Sequence, residues 1–497
     1  MSRPLSYNVW YACVVAVLVG VWLAGCAVGP NYKRPNINTP ATFRDDNTST
    51  NGSSAELFWW QVYRDETLQA LIHEAYTNNY DLRIAAARVE ESRAVATQAR
   101  SQFFPSATYN GTVSRGKNEL FGAPFTTGGA TVNSAAVTLN AFWEVDFWGR
   151  VRRLNESARA RFLASEEARR GIRLSLLSDV AMAYFQLLEL DEEMKIASRT
   201  TNSFGDSLQI FNQRLEGGTA SGLESSRAEA AFEDAAAALP SIRLQIAQTE
   251  NELSILLGRN PGPIQRPGAS LQEVVLADIP AGLPSALLER RPDILEGEQE
   301  LRAANAQVGE SVAEFLPKIG LTALLGKVSP ELSAFTLGGA NVWGVAADAT
   351  GPLFEGGRLV GQYRQSKAER EAAKLQYQLT ILKSFQEVSD ELIAREQLAE
   401  MREHQARQVS ALEKAVVLSS ERYTAGKASY YEVLEAQQQL FPAQLNLART
   451  QRDQLLAVVA LYKALGGGWQ NETNTSSSSP IWATNEKPPA RVRYESN

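Results

Sequence analysis

The sequence predicts a mainly α-helical chain with a small β-stranded membrane part, built from one plan that occurs twice. Three observations predict this fold class. Segments recur at a spacing of about 208 residues, two helical patterns are unusually long, and four short runs alternate apolar with polar side chains. The net charge of −7 argues against a nucleic-acid partner. The two histidines, His73 and His404, lack the companions that a zinc site or a histidine-based triad needs.

The duplication is visible as four segments of the first half that reappear in order in the second half. Chance similarity between helices explains one such match but not easily four in sequence order. The matches are QARSQFFPSATYNG around Pro105 with GESVAEFLPKIGLTA around Pro317, FWGR ending at Arg150 with FEGGR ending at Arg358, QRLEGGTAS around Gly218 with ERYTAGKAS around Gly426, and ELSILLG ending at Gly258 with VVALYKALG ending at Gly466.

Each half reads as a helix, a strand, a loop, a strand, a long helix, a tight turn and a last helix. The first helix is predicted over 66–101. Apolar residues at steps of three and four predict the long helices at about 150–215 and 359–424. At 1.5 Å per residue, such a helix is on the order of 100 Å long. The last helices are predicted at about 221–257 and 429–465.

The alternating runs have the length of tilted membrane-spanning strands, about ten residues, with one apolar and one polar face. A sheet in a soluble protein alternates in a similar way. One chain offers four strands, whereas a membrane barrel needs at least about eight, so the barrel must be shared. Two copies would give eight strands and three would give twelve, and the residues alone do not distinguish a dimer from a trimer. The runs are 106–115, 137–147, 318–325 and 343–349.

The N-terminus reads as a lipoprotein signal peptide over residues 1–25. Arg3 precedes an apolar run, and LAGC places small residues directly before Cys26. Cys26 then becomes the first mature residue and carries acyl chains, which anchor a protein by burying CH₂ groups. The alternatives are an ordinary signal peptide or an uncleaved anchor. Cleavage changes the net charge from −7 to −8 and removes Cys13, so acylation of Cys26 leaves no disulfide.

The remaining organisation follows from composition and from the repeat. The predicted segments are an N-terminal anchor and extended strap at 26–65, a first repeat at 66–260, a Pro-rich linker at 261–284, a second repeat at 285–468, and a disordered tail at 469–497.

With these elements in place, the chain resembles the outer membrane factor family of TolC-like channels, and within it the NodT-type lipoprotein branch that serves tripartite efflux pumps. The likeness covers roughly 26–468 and is carried by CAVGPNYKRP at 26–35, the FWGR and FEGGR elements, and RYTAGKASYYEVLEAQ at 422–437. It implies a trimer whose twelve-stranded β-barrel, four strands per chain, is continuous with a long α-helical coiled-coil barrel.

The resemblance also implies a function, the passive exit of small molecules through the outer membrane, with no catalysis and no cofactor. The implied partners are two further copies of the chain, a periplasmic adaptor (membrane fusion) protein, an inner-membrane RND-type transporter and outer-membrane lipid. Ala27 after the anchor cysteine, where Asp would retain a lipoprotein, implies export to the outer membrane, with the helices extending into the periplasm. Alternatives are a duct for type I protein secretion and a coiled-coil envelope scaffold without a pore.

The family's closed end lies at the helix tips, here 214–224 and 423–435. Gly217, Gly218 and Gly426 permit the tight reversals. The resemblance places Glu432 and Glu435 where relatives carry ring-forming carboxylates, which favour cations in a narrow opening. The alternative is a solvated helix face, because Glu is an ordinary helix former.

Two further tip residues match the family pattern, and one position departs from it. Tyr423 matches a tyrosine that ties neighbouring coiled coils shut, and Glu224 matches its acidic partner, so a Tyr423–Glu224 hydrogen bond is expected in the closed state. An arginine that often helps to lock the tip is replaced by Ala428, with Lys427 beside it. A weaker or differently arranged lock is therefore expected.

Overall fold

The computed structural model describes residues 27–40, 42–44, 65–117, 131–268, 270–271, 274, 284–329 and 340–467. The predicted signal peptide, Cys26 and the tail at 469–497 lie outside the described residues. The helices are α1 (Glu66–Asn78), α2 (Tyr80–Ser101), α3 (Arg150–Glu216), α4 (Gly222–Leu256), α5 (Leu287–Arg290), α6 (Pro292–Ala313), α7 (Arg358–Thr424) and α8 (Tyr430–Ala464). The strands are β1 (Ser106–Lys117), β2 (Thr131–Val145), β3 (Lys318–Ser329) and β4 (Ala340–Thr350).

The long helices confirm the duplicated plan. Helices α3 and α7 each contain 67 residues, and α4 and α8 each contain 35. At 1.5 Å per residue, α3 and α7 are each about 100 Å long. No helix in the described part of the chain is both long and apolar enough to cross a membrane.

The first helix differs from the prediction, because 66–101 is interrupted at Asn79. Asn79 leaves the helical conformation, with φ −60° and ψ 133°. Its side-chain oxygen accepts a hydrogen bond from Leu82 N–H at 3.0 Å, and its amide donates to Leu256 O at 2.9 Å. Asn79 therefore starts a new helix and fixes the end of α4.

The four strands form one antiparallel sheet in the order β1-β2-β3-β4. The cross-strand register aligns Tyr109 with Leu139, Leu139 with Leu325 and Leu325 with Trp343. All four side chains are exposed on the isolated chain. Because side chains alternate between faces along a strand, this row and its alternate neighbours define one apolar face of the sheet.

Strand β2 ends two residues earlier than predicted, because the side chain of Asp146 caps the N-terminus of α3. Its carboxylate oxygens accept hydrogen bonds from Val151 N–H at 3.0 Å and from Arg152 N–H at 2.8 Å. These are N–H groups of the first turn of α3, which have no partner within the helix.

The chain divides into two compact units. The first comprises residues up to Asn38 with Ile84–Arg169 and Asp293–Thr380, and it contains the sheet. The second comprises Thr39–Arg83, Arg170–Pro292 and residues from Ile381 onward, and it contains the ends of the helix hairpins.

A part-buried hydrogen bond helps to fix the core of the second unit. Tyr184 is fully buried, and its hydroxyl donates to Asp65 Oδ2 at 2.6 Å. Burial raises the pKa of Tyr184, and the bond to Asp65 adds to the shift. Asp65 also caps α1 by accepting from Leu68 N–H at 3.0 Å.

Candidate functional site at the helix tips

Two tight turns close the helix hairpins, one between α3 and α4 and one between α7 and α8. Gly218 and Gly426 both adopt left-handed backbone conformations, with φ of 70° and 69°, which a side chain would oppose. Gly217 lies in the first turn and donates its N–H to Gln213 O at 3.0 Å. The bonds that close the two turns are Thr219 N–H to Arg214 O at 2.7 Å and Lys427 N–H to Arg422 O at 2.9 Å.

Glu224 closes the first hairpin rather than facing a partner across the tip. Its N–H donates to Ser221 Oγ at 3.3 Å, and its carboxylate accepts from Ser221 N–H at 2.8 Å and from Ser221 Oγ at 3.1 Å. This reciprocal arrangement is a capping box. The hydrogen bonds from Ser221 lower the pKa of Glu224 and hold it as a carboxylate.

Tyr423 has a different partner from the expected one. Its hydroxyl accepts a hydrogen bond from the guanidinium of Arg214, whose Cζ lies 5.5 Å from the centre of the Tyr423 ring. In the isolated chain, Tyr423 therefore bonds to Arg214 and not to Glu224, while the Tyr423–Glu224 hydrogen bond expected for the closed state stays a prediction. The physical reason is that Ser221 already satisfies Glu224, whereas Arg214 supplies a charged donor at the end of α3.

Behind Tyr423 lies an aromatic group that joins the hairpins. Tyr430 packs 5.2 Å from the Tyr423 ring and 4.5 Å from the Phe211 ring, measured between centroids. Its hydroxyl donates to Ser207 Oγ. Burial raises the pKa of Tyr430. The adjoining apolar cluster draws on α3, α4 and α8 and consists of Phe204, Ala231, Ala235 and Leu434.

In the second hairpin, the corresponding glutamate, Glu432, takes no part in a capping box. Glu432 occupies the position that Glu224 holds in the first repeat, but Ser429 makes no side-chain cap. Glu432 instead lies 3.6 Å from Arg422, with side-chain exposures of 46% for Glu432 and 59% for Arg422. An ion pair this exposed contributes about 0–1 kcal/mol, so water competes for both groups.

Glu435 shares the exposed face of α8 with Glu432. The residues between and after them, including Val433 and Ala436, are buried. Within the described residues, Glu435 accepts one long side-chain hydrogen bond, from Gln439 at 3.5 Å. The predicted i, i+3 placement of the two carboxylates on one face is present, while their function stays a prediction.

The tip residue missing from the sequence prediction is Arg214. The family resemblance implied a locking arginine at the position of Ala428 in the second repeat, whereas Arg214 supplies a guanidinium group from the first repeat. A signal existed, because Arg214 aligns with Arg422 at the repeat spacing of 208. Chemically, the tips offer exposed carboxylates, guanidinium groups and phenols. No group of three or more His, Cys, Asp or Glu that could hold a metal ion occurs among the residues the structure describes.

The duplicated hairpins, the four-stranded sheet and this tip arrangement define the class of protein. The sequence matches the outer membrane efflux protein family over residues 71–259 and 283–467. The chain belongs to this family, whose members are outer-membrane components of efflux pumps.

Individual relatives are similar over nearly the full length. The toluene efflux pump outer membrane protein TtgC of Pseudomonas putida is 35% identical over 92% of this chain and 95% of its own. The cation efflux system protein CusC of Escherichia coli is 31% identical over 91% and 98%. The outer membrane channel CmeC of Campylobacter jejuni superimposes with a TM-score of 0.82 at 26% identity, over 89% of this chain and 95% of CmeC. The chain therefore has the fold of these channels.

Proposed function

We propose that three copies of this chain form the exit channel of a tripartite efflux pump, which conducts small molecules passively and performs no catalysis. The sheet has two edges, β1 and β4. Unpaired backbone groups at such edges cost several kcal/mol each in lipid, so other copies must cover them. Three copies supply twelve strands, as the family resemblance implies.

The proposed partners are a periplasmic adaptor protein and an inner-membrane transporter of the RND type. Helices α3 and α7 have 67 residues each, and periplasmic helices of this length would offer such partners a long surface. The relatives' names refer to toluene and cation efflux, which favours efflux over protein secretion. Energy comes from the transporter, and the chain supplies the conduit.

We place the lipid anchor of this channel on Cys26. The support is the sequence itself, LAGC followed by Ala27, which fits a lipoprotein exported to the outer membrane. Mass spectrometry of the mature N-terminal peptide is expected to begin at Cys26 and to carry acyl mass. An unmodified peptide would refute the anchor and leave the channel proposal standing.

The gate is proposed to lie at the helix tips, and one observation carries this. The two repeats share the same Ser-x-x-Glu sequence, yet only the first uses its glutamate for capping. Glu432 is exposed beside Arg422, with Glu435 on the same face. Repeated around three copies, these groups set a charge at the opening that an ion must pass.

Reversal potentials in a salt gradient across planar bilayers test this gate. The double variant Glu432→Gln/Glu435→Gln is expected to lower cation preference, because it removes negative charge at the opening. Arg422→Gln is expected to raise cation preference, because it leaves Glu432 unpaired. Glu403→Gln is the control, since this exposed side chain lies on α7 about 30 Å from the tip, at 1.5 Å per residue.

The outcomes separate the possibilities. Opposite shifts for the carboxylate and arginine variants, with no shift for Glu403→Gln, support the gate. Equal reversal potentials for all variants would rule out these residues as the charge filter. The absence of any single-channel current from the unmodified protein would point to a scaffold without a pore.

A further inference from the structure

Each repeat contains a short junction between its second strand and its long helix, and the two junctions have different surroundings. The first junction (residues 146–150) reads DFWGR and the second junction (residues 353–358) reads LFEGGR. Both lie in the first unit. Phe147 is half-buried, whereas its counterpart Phe354 is 90% exposed and Leu353 beside it is fully exposed. The same apolar element is thus covered in the first repeat and uncovered in the second.

The first junction is covered by the second repeat of its own chain. The indole N–H of Trp148 donates to Pro317 O at 2.9 Å. The guanidinium of Arg150 lies 3.9 Å from the carboxylate of Glu314. Both contacts are made with the segment that joins α6 to β3, here called the β3 entry (residues 314–317).

The first repeat has an equivalent segment that is uncovered in the isolated chain. The β1 entry (residues 102–105) joins α2 to β1, and its Pro105 aligns with Pro317 of the β3 entry. Phe104 is 62% exposed and Pro105 is also exposed. Because β1 and β4 are the two edges of the sheet, three strand spacings, about 14 Å, separate the β1 entry from the second junction. The two uncovered segments therefore do not cover each other within one chain.

Resting on the proposed assembly of three copies, we propose that the second junction of one copy packs on the β1 entry of the next. Leu353 and Phe354 would lie against Phe104 and Pro105 of that copy. The contact between chains would then repeat the contact that the first junction makes with the β3 entry inside one chain. Each junction would be covered by an entry segment, and the second junction is incomplete without its neighbour.

The strand register gives the geometrical reason for this contact. Within the chain, Val145 at the end of β2 aligns with Ile319, two residues after the β3 entry. The chain that leaves β2 therefore passes directly beside that entry. Ala107 is the residue of β1 that corresponds to Ile319. Pairing of β4 with β1 of another copy in the equivalent register brings the second junction beside the β1 entry.

A lipid surface is the other cover that exposed apolar side chains could have, and the neighbouring charges argue against it. Glu355 and Arg358 form an ion pair of 2.8 Å directly after Phe354, and hydrocarbon disfavours charged groups. The match between the junctions is not complete, because Glu355 stands where the first junction has Trp148. The contact between copies therefore depends on apolar burial and not on an indole hydrogen bond.

Disulfide trapping tests the contact on the full-length protein in its membrane. The double variant Phe104→Cys/Phe354→Cys is oxidised, and its products are separated by mass without reductant. Covalent dimers and trimers are expected, because a disulfide forms when two Cα atoms lie within about 7 Å. In the control pair Tyr109→Cys/Phe354→Cys, the first cysteine lies on an exposed part of β1, about 16 Å further along the chain. This pair is expected to give several-fold fewer crosslinks, and the single variants measure any background from Cys26.

The outcomes separate this contact from the three-copy channel itself. A trimer without the Phe104–Phe354 crosslink, equal yields from both cysteine pairs, or a disulfide within one chain would refute the contact alone. A monomeric unmodified protein would refute the channel together with the contact.

A serine variant provides a second measurement, by native mass spectrometry at low protein concentration in detergent. Phe354→Ser is expected to lower the trimer fraction several-fold, because it removes the apolar surface that the neighbour covers. Val113→Ser, which changes an exposed side chain of β1, is expected to leave the fraction unchanged. Equal trimer fractions for the two variants would indicate that lipid covers Phe354 and would overturn the proposal.

Discussion

The turn at Gly258, after α4, offers a strong steric prediction in the second unit. Gly258 has a φ of 72°, and a Cβ added there would lie 2.4 Å from Asn78 O and 2.7 Å from Asn78 C. Gly218 has almost the same backbone, with φ 70°, but a Cβ added there meets nothing within 4 Å. Replacing each glycine by alanine therefore separates the cost of the backbone conformation from the cost of the collision.

The expected magnitudes follow from these two terms. A left-handed alanine costs about 1–2 kcal/mol, which both variants share. Overpacking against a backbone atom that cannot move aside costs about 1–3 kcal/mol more, which applies to Gly258→Ala alone. Gly466→Ala falls between them, because its Cβ would lie 3.0 Å from Arg291 Cα and Cγ, while Gly426→Ala resembles Gly218→Ala.

Thermal unfolding, followed by helical circular dichroism at a fixed protein concentration in detergent, measures the order. The largest drop in midpoint is expected for Gly258→Ala, then Gly466→Ala, then the two tip variants together. Equal shifts for all four variants would show that Asn78 moves aside readily, and the packing argument would fail.

Two further predictions concern a buried carboxylate and a helix cap. Burial, with Glu193 beside it, raises the pKa of Glu189 from 4.5 to about 8; since the folded state binds this proton more tightly than the unfolded state, its contribution to stability is complete below pH 4.5 and is lost as the pH rises through 8. Glu189→Gln is therefore expected to reduce the loss of unfolding free energy between pH 4.5 and 8, by at most about 1.4 kcal/mol per pH unit. Thermal midpoints measured across this pH range should fall less steeply for the variant. An unchanged slope would contradict the assignment. Ser221→Ala breaks the capping box and is expected to cost about 1 kcal/mol, measured as faster amide exchange at the first tip, whereas Ser429→Ala, which removes no side-chain cap, is expected to change little. Equal effects of the two serine variants would refute the difference between the turns.

The fold was largely predictable because it is periodic. The steps of three and four along 150–215 and the alternation along 106–115 depend only on neighbours in sequence. The repeat also predicted each helix and strand a second time, from the matching segment in the other half. The break at Asn79 escaped because an unbroken apolar stripe runs past it, and the interruption depends on a contact with Leu256 that is distant in sequence.

The tip was predicted as a location more successfully than as a set of contacts. The turn glycines follow from local backbone rules. The partner of Tyr423 does not, because Arg214 lies 209 residues away, and its alignment with Arg422 in the repeat does not show which side chain it contacts. The capping role of Glu224 was readable in principle, since Ser221 stands three residues before it and this spacing is the signature of a capping box.

The unequal caps of the two hairpins have a consequence for stoichiometry. In the proposed trimer, the two similar hairpins of each chain would form a near-sixfold ring around the three-fold axis. The exposed Glu432–Arg422 pair would then be present on every second hairpin of this ring. A binding protein that docks on these pairs finds three equivalent places rather than six. In the proposed pump, six copies of such a protein would then have to occupy two distinct kinds of binding site.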